Sequence, residues 1–280
     1  MTRLIKLIFI CVVVFSCSTS YVKINSENFD SRVKYIVIHY TSENFAESLR
    51  LLTTKTDRPV SSHYLIPELN DKTYELTTTK PYVLVDEHNR AWHAGISYWS
   101  GERGLNDNSI GIEIVNTSGC QKGIEQLIDH EDLNNSCYFL SFPEQQITVL
   151  VNLIRDILSR HPEIKPYNVI GHSDIAPNRK IDPGPLFPWK TLYENGFGAW
   201  YEMEDYIYFQ NIFSTQLPTT LEAQQQLEIY GYEIELSGIE DKQSRDAVRA
   251  FQMHFRPSNY SGYFDLETIA ILYALNKKYR

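Results

Sequence analysis

Residues 143–189 read PEQQITVLVNLIRDILSRHPEIKPYNVIGHSDIAPNRKIDPGPLFPW. Three kinds of structure follow one another here. Ile147, Leu150, Val151, Ile154, Ile157 and Leu158 recur at helical spacing and predict an amphipathic helix, with Pro143 suited to its first turn. NVIGH, Asn168 to His172, then returns as a strand. Beyond it, Pro177, Pro183, Pro185 and Pro188 each lack an N–H donor and clash with a preceding turn, so no helix survives them. What remains is a stiffened loop carrying His172, Lys180 and Asp182.

The flanking sequence repeats the alternation. KYIVIHY, Lys34 to Tyr40, predicts a central strand ending at His39. Ser42 is placed to cap a helix whose apolar positions Phe45, Leu49 and Leu52 share a face. HYLI, Tyr74 to Leu76 and PYVLVDE read as short strands. NSIGIEIVN, Asn108 to Asn116, alternates: Ile110, Ile112 and Ile114 face one way, Gly111 and Glu113 the other. Residues 117–142 read as a polar, irregular loop. Strands alternating with helices predict an α/β fold, a mixed central β-sheet flanked by helices.

A length of 280 residues suggests two domains at roughly 150 residues each. Residues 1–17 read as a targeting signal. Arg3 and Lys6 precede the nine-residue apolar run Leu7–Phe15, too short to span a bilayer. The run leads to Cys17 and resembles a bacterial lipoprotein signal, in which such a cysteine receives the lipids. Ser18 after it favours, by the same resemblance, the outer membrane. A cleaved secretory signal is the alternative.

A tether is expected over 18–32, the α/β body over 33–197 and an aromatic-rich linker over 198–218. A small helical unit is expected over 219–280. Its Thr219 and Glu222 form a capping box. The first helix ends at Gly231, and two more follow over Asp241–Phe255 and Asp265–Lys277. Of four cysteines, only Cys120 and Cys137 lie in the body; in an exported chain they are a disulfide candidate, with free thiols as the alternative. The net charge of −9 argues against nucleic acid, whose phosphates need clustered Lys and Arg.

His39 and His172 both sit at strand ends, and Asp182 hangs on the stiff loop. Two imidazoles and a carboxylate make a catalytic zinc set with one position left open. His39 alone would read as a satisfied strand-end histidine; the set together carries the argument. Glu113 lies on the polar face of an otherwise apolar strand, where a carboxylate is costly without a partner or a task. A surface glutamate on an edge strand is the competing reading. Lys180 can stabilise a developing oxyanion, or be a solvated loop lysine.

IVIHYT, SSHYLI, AWHAGISYWSGERGLNDNSIGIEIVN and VIGHSDIAPNRKIDPGPLFPW together resemble the zinc-dependent N-acetylmuramoyl-L-alanine amidases of type 2, over about residues 34–190. That class is related to phage amidase lysozymes and peptidoglycan recognition proteins, and the nearest likeness is to its outer-membrane lipoproteins. GYEIELSGIEDKQSRDAVRAFQMHF resembles a three-helix peptidoglycan-binding domain.

The resemblance implies one zinc on His39, His172 and Asp182, with Glu113 and Lys180 as catalytic partners. His63, Trp92 and His93 are expected to line the cleft, with a buried imidazole holding one hydrogen bond, or a core Trp, as the alternative; Asn108 and Arg179 are further substrate-binding candidates. The expected reaction is hydrolysis of the amide joining N-acetylmuramic acid to L-alanine, in peptidoglycan or muropeptides, as part of wall turnover. A periplasmic monomer is expected, tethered through Cys17. Where some relatives carry a catalytic Tyr, this chain has Ser62, which leaves proton handling to Glu113. The rival readings are a non-catalytic peptidoglycan receptor, whose kind usually lacks a zinc ligand, and a zinc peptidase of other specificity. With 219–280 as a separate module, a chain ending near Gly198 should still cleave soluble muropeptides.

Overall fold

The computed structural model describes residues 19–121, 133 and 135–280. The signal segment, Cys17 and most of the stretch between the two body cysteines lie outside the described residues. Residues 19–30 carry no helix or strand, and Ser31–Arg280 forms one compact unit.

The centre of that unit is a five-stranded sheet. Its strands are β1 (Tyr35–Tyr40), β2 (Tyr64–Ile66), β3 (Tyr82–Val83), β6 (Ser109–Ile114) and β9 (Val169–Gly171), in the order β3-β2-β6-β1-β9. Four run parallel and β3 closes one edge antiparallel. β1 is buried along its whole length, as a central parallel strand must be, which is why YIVIHY is nearly all apolar. Two short hairpins complete the strands: β4 (Tyr98–Trp99) with β5 (Glu102–Arg103), and β7 (Gly119–Cys120) with β8 (Cys137–Tyr138).

Side-chain alternation gives the sheet two different covers. Ile36, Ile38, Ile110, Ile112 and Ile114 face α2 (Glu144–Arg160), whose Ile147, Leu150, Val151, Ile154 and Ile157 complete that core. Tyr35, Val37 and Ile170 face the other way. They share a second core with Leu227, Phe251, Phe255 and Ile271 of the C-terminal helices and with Tyr232, which lies between two of them. His39 and Glu113 are paired across β1 and β6 and alternate onto this second face.

Several local expectations change. The helix α1 (Phe45–Thr53) is capped not by Ser42 but by Asn44, whose Oδ1 accepts from Glu47 N–H at 3.0 Å; the helix starts at Phe45, and Ser42 lies two residues before the cap in a left-handed conformation (φ 59°). Residues 74–76 form no strand. Tyr74 packs edge-on to Phe45 and its hydroxyl donates to the Thr78 carbonyl at 2.9 Å, so the residue plugs a small core instead of pairing. After β9 come one turn of helix, α3 (His172–Ile175), and a short α4 (Trp189–Glu194).

The expected linker contains α5 (Met203–Phe213): Phe209 and Phe213 pack on Tyr273, and Asp205 pairs with Lys277 at 2.5 Å. α6 (Thr220–Tyr230), α7 (Lys242–Phe255) and α8 (Leu266–Tyr279) follow, capped by Thr219, Asp241 and Asp265. The second core crosses the expected boundary near residue 198. The body and the helical region are therefore not separate units: residues beyond 198 share the cover of that sheet face with Ala94, Trp99, Leu105, Ile175 and Ala176.

Cys120 and Cys137 face each other across β7 and β8 and are joined as a disulfide, 17 residues apart in sequence. A closed loop of that length is worth about 3 kcal/mol through the unfolded chain. Replacing both cysteines by alanine should lower the urea midpoint accordingly. An unchanged midpoint would mean that the hairpin holds without the bond.

Candidate active site

The parallel strands deliver their last residues to one edge of the sheet, the usual location of a site in such folds. His39 comes from the end of β1, Glu113 from the end of β6, and His172 follows β9 directly. Asp182 returns from the proline-rich loop. The Ser173 N–H donates to the Asp182 carbonyl at 2.8 Å, which ties the start of that loop to the residue that closes it.

Nδ1 of His39 and Nδ1 of His172 lie 2.9 Å apart, and Oδ2 of Asp182 is 3.1 Å from the first and 3.0 Å from the second. All three residues are buried. Their outer atoms fix the tautomers. His172 Nε2 is 3.2 Å from the Ala94 carbonyl, which can only accept, so the proton sits on Nε2 and the Nδ1 lone pair faces inward. His39 Nε2 meets His93 Nδ1 at 3.0 Å, His93 Nε2 meets Ser109 Oγ at 3.2 Å, and Ser109 Oγ donates to the Leu105 carbonyl at 2.5 Å. Read from that carbonyl, the chain of donors assigns Nε2–H to His39 as well.

Burial drives His172 down to about 3 and holds His93 well below the ordinary histidine range, so both are neutral at pH 7. Three ligand-type atoms, one from each residue, thus converge on one point. Such a group repels itself unless a cation sits there, and two imidazoles with a carboxylate suit zinc.

Glu113 stands beside this group. Its Oε2 is buried with no hydrogen-bond partner, and loss of solvent raises its carboxyl to about 7, an effect Asp182 adds to while His39 and Lys180 oppose it. Lys180 and Trp92 line the same cleft, of about 390 Å³, with Trp92 half exposed.

Other expected residues lie elsewhere or act differently. Asn108 is not in the cleft: it precedes β6 at the opposite end of the strand, where its side chain bonds Glu102 and its carbonyl caps Lys34 N–H at 2.8 Å. His63 is wholly buried behind His93; its Nδ1 accepts from Gly111 N–H at 2.9 Å. Arg179 lines the cleft, but its guanidinium is engaged with the carbonyls of Ala94 and Ile96, at 2.6 Å for Nη2 to Ile96.

Sequence reasoning missed Ser109 and Asn106, whose Oδ1 accepts from both His93 N–H (3.0 Å) and Ala94 N–H (2.7 Å). One available signal was Gly111, in the middle of an isoleucine strand. A Cβ there would stand 2.4 Å from His93 Cγ, so only glycine leaves room for the ring.

The fold and the cleft together define an α/β protein with a three-donor site at the carboxyl edge of its sheet. Within that class, the chain belongs to the N-acetylmuramoyl-L-alanine amidase family, which residues 29–185 match; residues 217–272 match a peptidoglycan binding domain. The N-acetylmuramoyl-L-alanine amidase AmiD of Escherichia coli strain K12 is 43% identical over 253 residues, covering 89% of this chain and 84% of that one. The crystal structure of AmpDH3 from Pseudomonas aeruginosa with an anhydromuramic pentapeptide has a TM-score of 0.84 at 40% identity, covering 94% of this chain and 99% of that one. AmiD from E. coli, solved with anhydro-N-acetylmuramic acid-L-Ala-D-γ-Glu-L-Lys, has a TM-score of 0.76 at 39% identity, covering 92% and 93%.

Proposed function

We propose that this amidase cleaves the bond between the lactyl group of N-acetylmuramic acid and L-alanine with zinc held by His39, His172 and Asp182. The convergence of three inward lone pairs at 2.9–3.1 Å carries the assignment. Zinc there supplies Lewis acidity to the scissile carbonyl. Glu113 removes a proton from the attacking water at its carboxylate and returns it to the leaving amide nitrogen. Lys180 faces the charge that develops on the carbonyl oxygen. Trp92, half exposed at the rim, offers a flat surface for a sugar ring or stem peptide. AmpDH3 and AmiD were each solved with a muramyl peptide, which supports muropeptides as the substrate class.

The test is metal content beside activity. Chelation should abolish release of peptide from murein sacculi, and zinc should restore it. His39→Ala, His172→Ala and Asp182→Ala should each lose stoichiometric zinc; full occupancy in the Asp182 variant would remove that residue from the set. Binding of sacculi without product release would instead identify a receptor.

The residue 217–272 match supports a hold on the polymer by the helical region, which raises local substrate concentration. Periplasmic action as a monomer, tethered by lipid on Cys17, completes the reading. Cys17→Ser should move the protein from the membrane fraction to the soluble one; a soluble wild type would favour a cleaved secretory signal.

A further inference from the structure

We infer that the C-terminal helical region is a working part of the catalytic centre, because Tyr232, in the loop after α6, and His254, on α7, clamp the turn that presents His172. The connection runs through Asp174, two residues beyond that histidine and buried to 1% exposure. Its carboxylate receives three donors. Gly171 N–H reaches Oδ2 at 2.7 Å, His254 Nδ1 reaches the same oxygen at 2.7 Å, and the Tyr232 hydroxyl reaches Oδ1 at 2.5 Å. The first donor is the backbone immediately before His172. The other two come from the C-terminal helical region, 58 and 80 residues away in sequence.

The clamp is itself rigid. Tyr232 is fully buried, edge-on to Trp99 with ring centroids 5.0 Å apart. The His254 ring is sandwiched between Trp189 and Phe255, at 3.8 and 3.9 Å. The two donors therefore have little freedom to follow Asp174 if it moves. Removing them leaves a buried carboxylate with one donor, which must turn or admit water to be satisfied. Either response loosens the 171–174 turn and with it the aim of His172 Nδ1. Tyr232 and His254 are positioning residues in this account: they touch neither substrate nor the donor triangle.

The inference rests on the zinc reading for its consequence and on the fold alone for its cause, so the full-length protein is tested both ways. Tyr232→Phe and His254→Leu are compared with Asp265→Ala, which removes the α8 cap without touching Asp174. His254→Asn keeps an N–H near the place of Nδ1. In the metal-free proteins, amide exchange over residues 171–176 should accelerate in Tyr232→Phe and His254→Leu and stay unchanged in Asp265→Ala. Zinc affinity, measured by chelator competition, should fall about 10–100-fold in the same two variants, the usual size of an outer-shell loss. His254→Asn should recover part of it. Unchanged exchange overturns the clamp. So does faster exchange with wild-type zinc affinity, which would leave a purely structural contact. A wild type that binds no zinc overturns the metal assignment alone, and the exchange arm then decides the clamp.

Discussion

A chain ending at Gly198 is expected to lose cooperative folding and all amidase activity. The cut removes the cover of Tyr35, Val37, Trp99, Ile170 and Ile175, all now buried in the second core. Burying a large apolar side chain is worth about 1.5–3 kcal/mol, so uncovering five forfeits on the order of 10 kcal/mol. Whole domains are stable by only about 5–15 kcal/mol. Asp174 would also lose two of its three donors in the same step. Thermal melts followed by near-ultraviolet circular dichroism should show no sharp transition, and soluble muropeptides should not be cleaved. A cooperative melt with wild-type turnover would show that the sheet face tolerates exposure and would restore the modular picture drawn from sequence.

Glu113→Gln should keep zinc and lose turnover. The substitution preserves size and one acceptor oxygen but removes the base. Proton transfer of this kind contributes about 10²–10⁴ in rate. The expected loss is therefore at least about a hundredfold, or about 2.7 kcal/mol of barrier. Near-normal turnover would transfer proton handling to another group, and loss of zinc would move Glu113 into the ligand shell. The carboxyl, raised to about 7, must ionise to act, so the wild-type rate should fall as pH drops through that region, with bound cation displacing the limb downward. The residual rate of the Glu113→Gln variant should lack this limb.

The same shift has a stability consequence with the opposite preference. Glu113 is raised above its unfolded value of 4.5, so its contribution is fully present below pH 4.5 and lost as pH rises through about 7. Metal-free Glu113→Gln should then be more stable than metal-free wild type at pH 8, by about 2 kcal/mol after allowance for partial access to the cleft. The difference should vanish near pH 4.5. Thermal melts at both pH values measure it, and equal melting temperatures at pH 8 would show that the carboxylate is better solvated than its surroundings suggest.

What could be read in the sequence was what repeats locally. α2 and the strands β1, β6 and β9 announce themselves by apolar periodicity, and strand ends place His39, Glu113 and His172. The pairing of those ends with Asp182 was legible from the donor types and the proline-stiffened loop, and the family resemblance then pointed to the same three residues. The helix α5 was hidden because its support is Tyr273, some sixty residues on, and its own apolar residues show no clear helical stripe. Ser42 and Asn44 are both good cap types, and only where the helix begins separates them. Asn108 was misplaced because a polar residue beside a catalytic strand can stand at either end of it. Asp174, Tyr232 and His254 left no trace, since no spacing rule joins residues that meet only after folding.

The wiring of β1 also governs when the protein can form. This strand, near residue 35, pairs with partners near 109 and 169, and one of its faces is covered in part by side chains between 227 and 275. Nearly every contact that defines it spans a long loop, and such loops must close before they are rewarded. Folding should therefore be slow and late, beginning only once most of the polypeptide is available. A nascent chain would hold the donors of its site apart. For an amidase, chain topology would then act as a timer, keeping the bond-cleaving centre unassembled until most of the sequence is available.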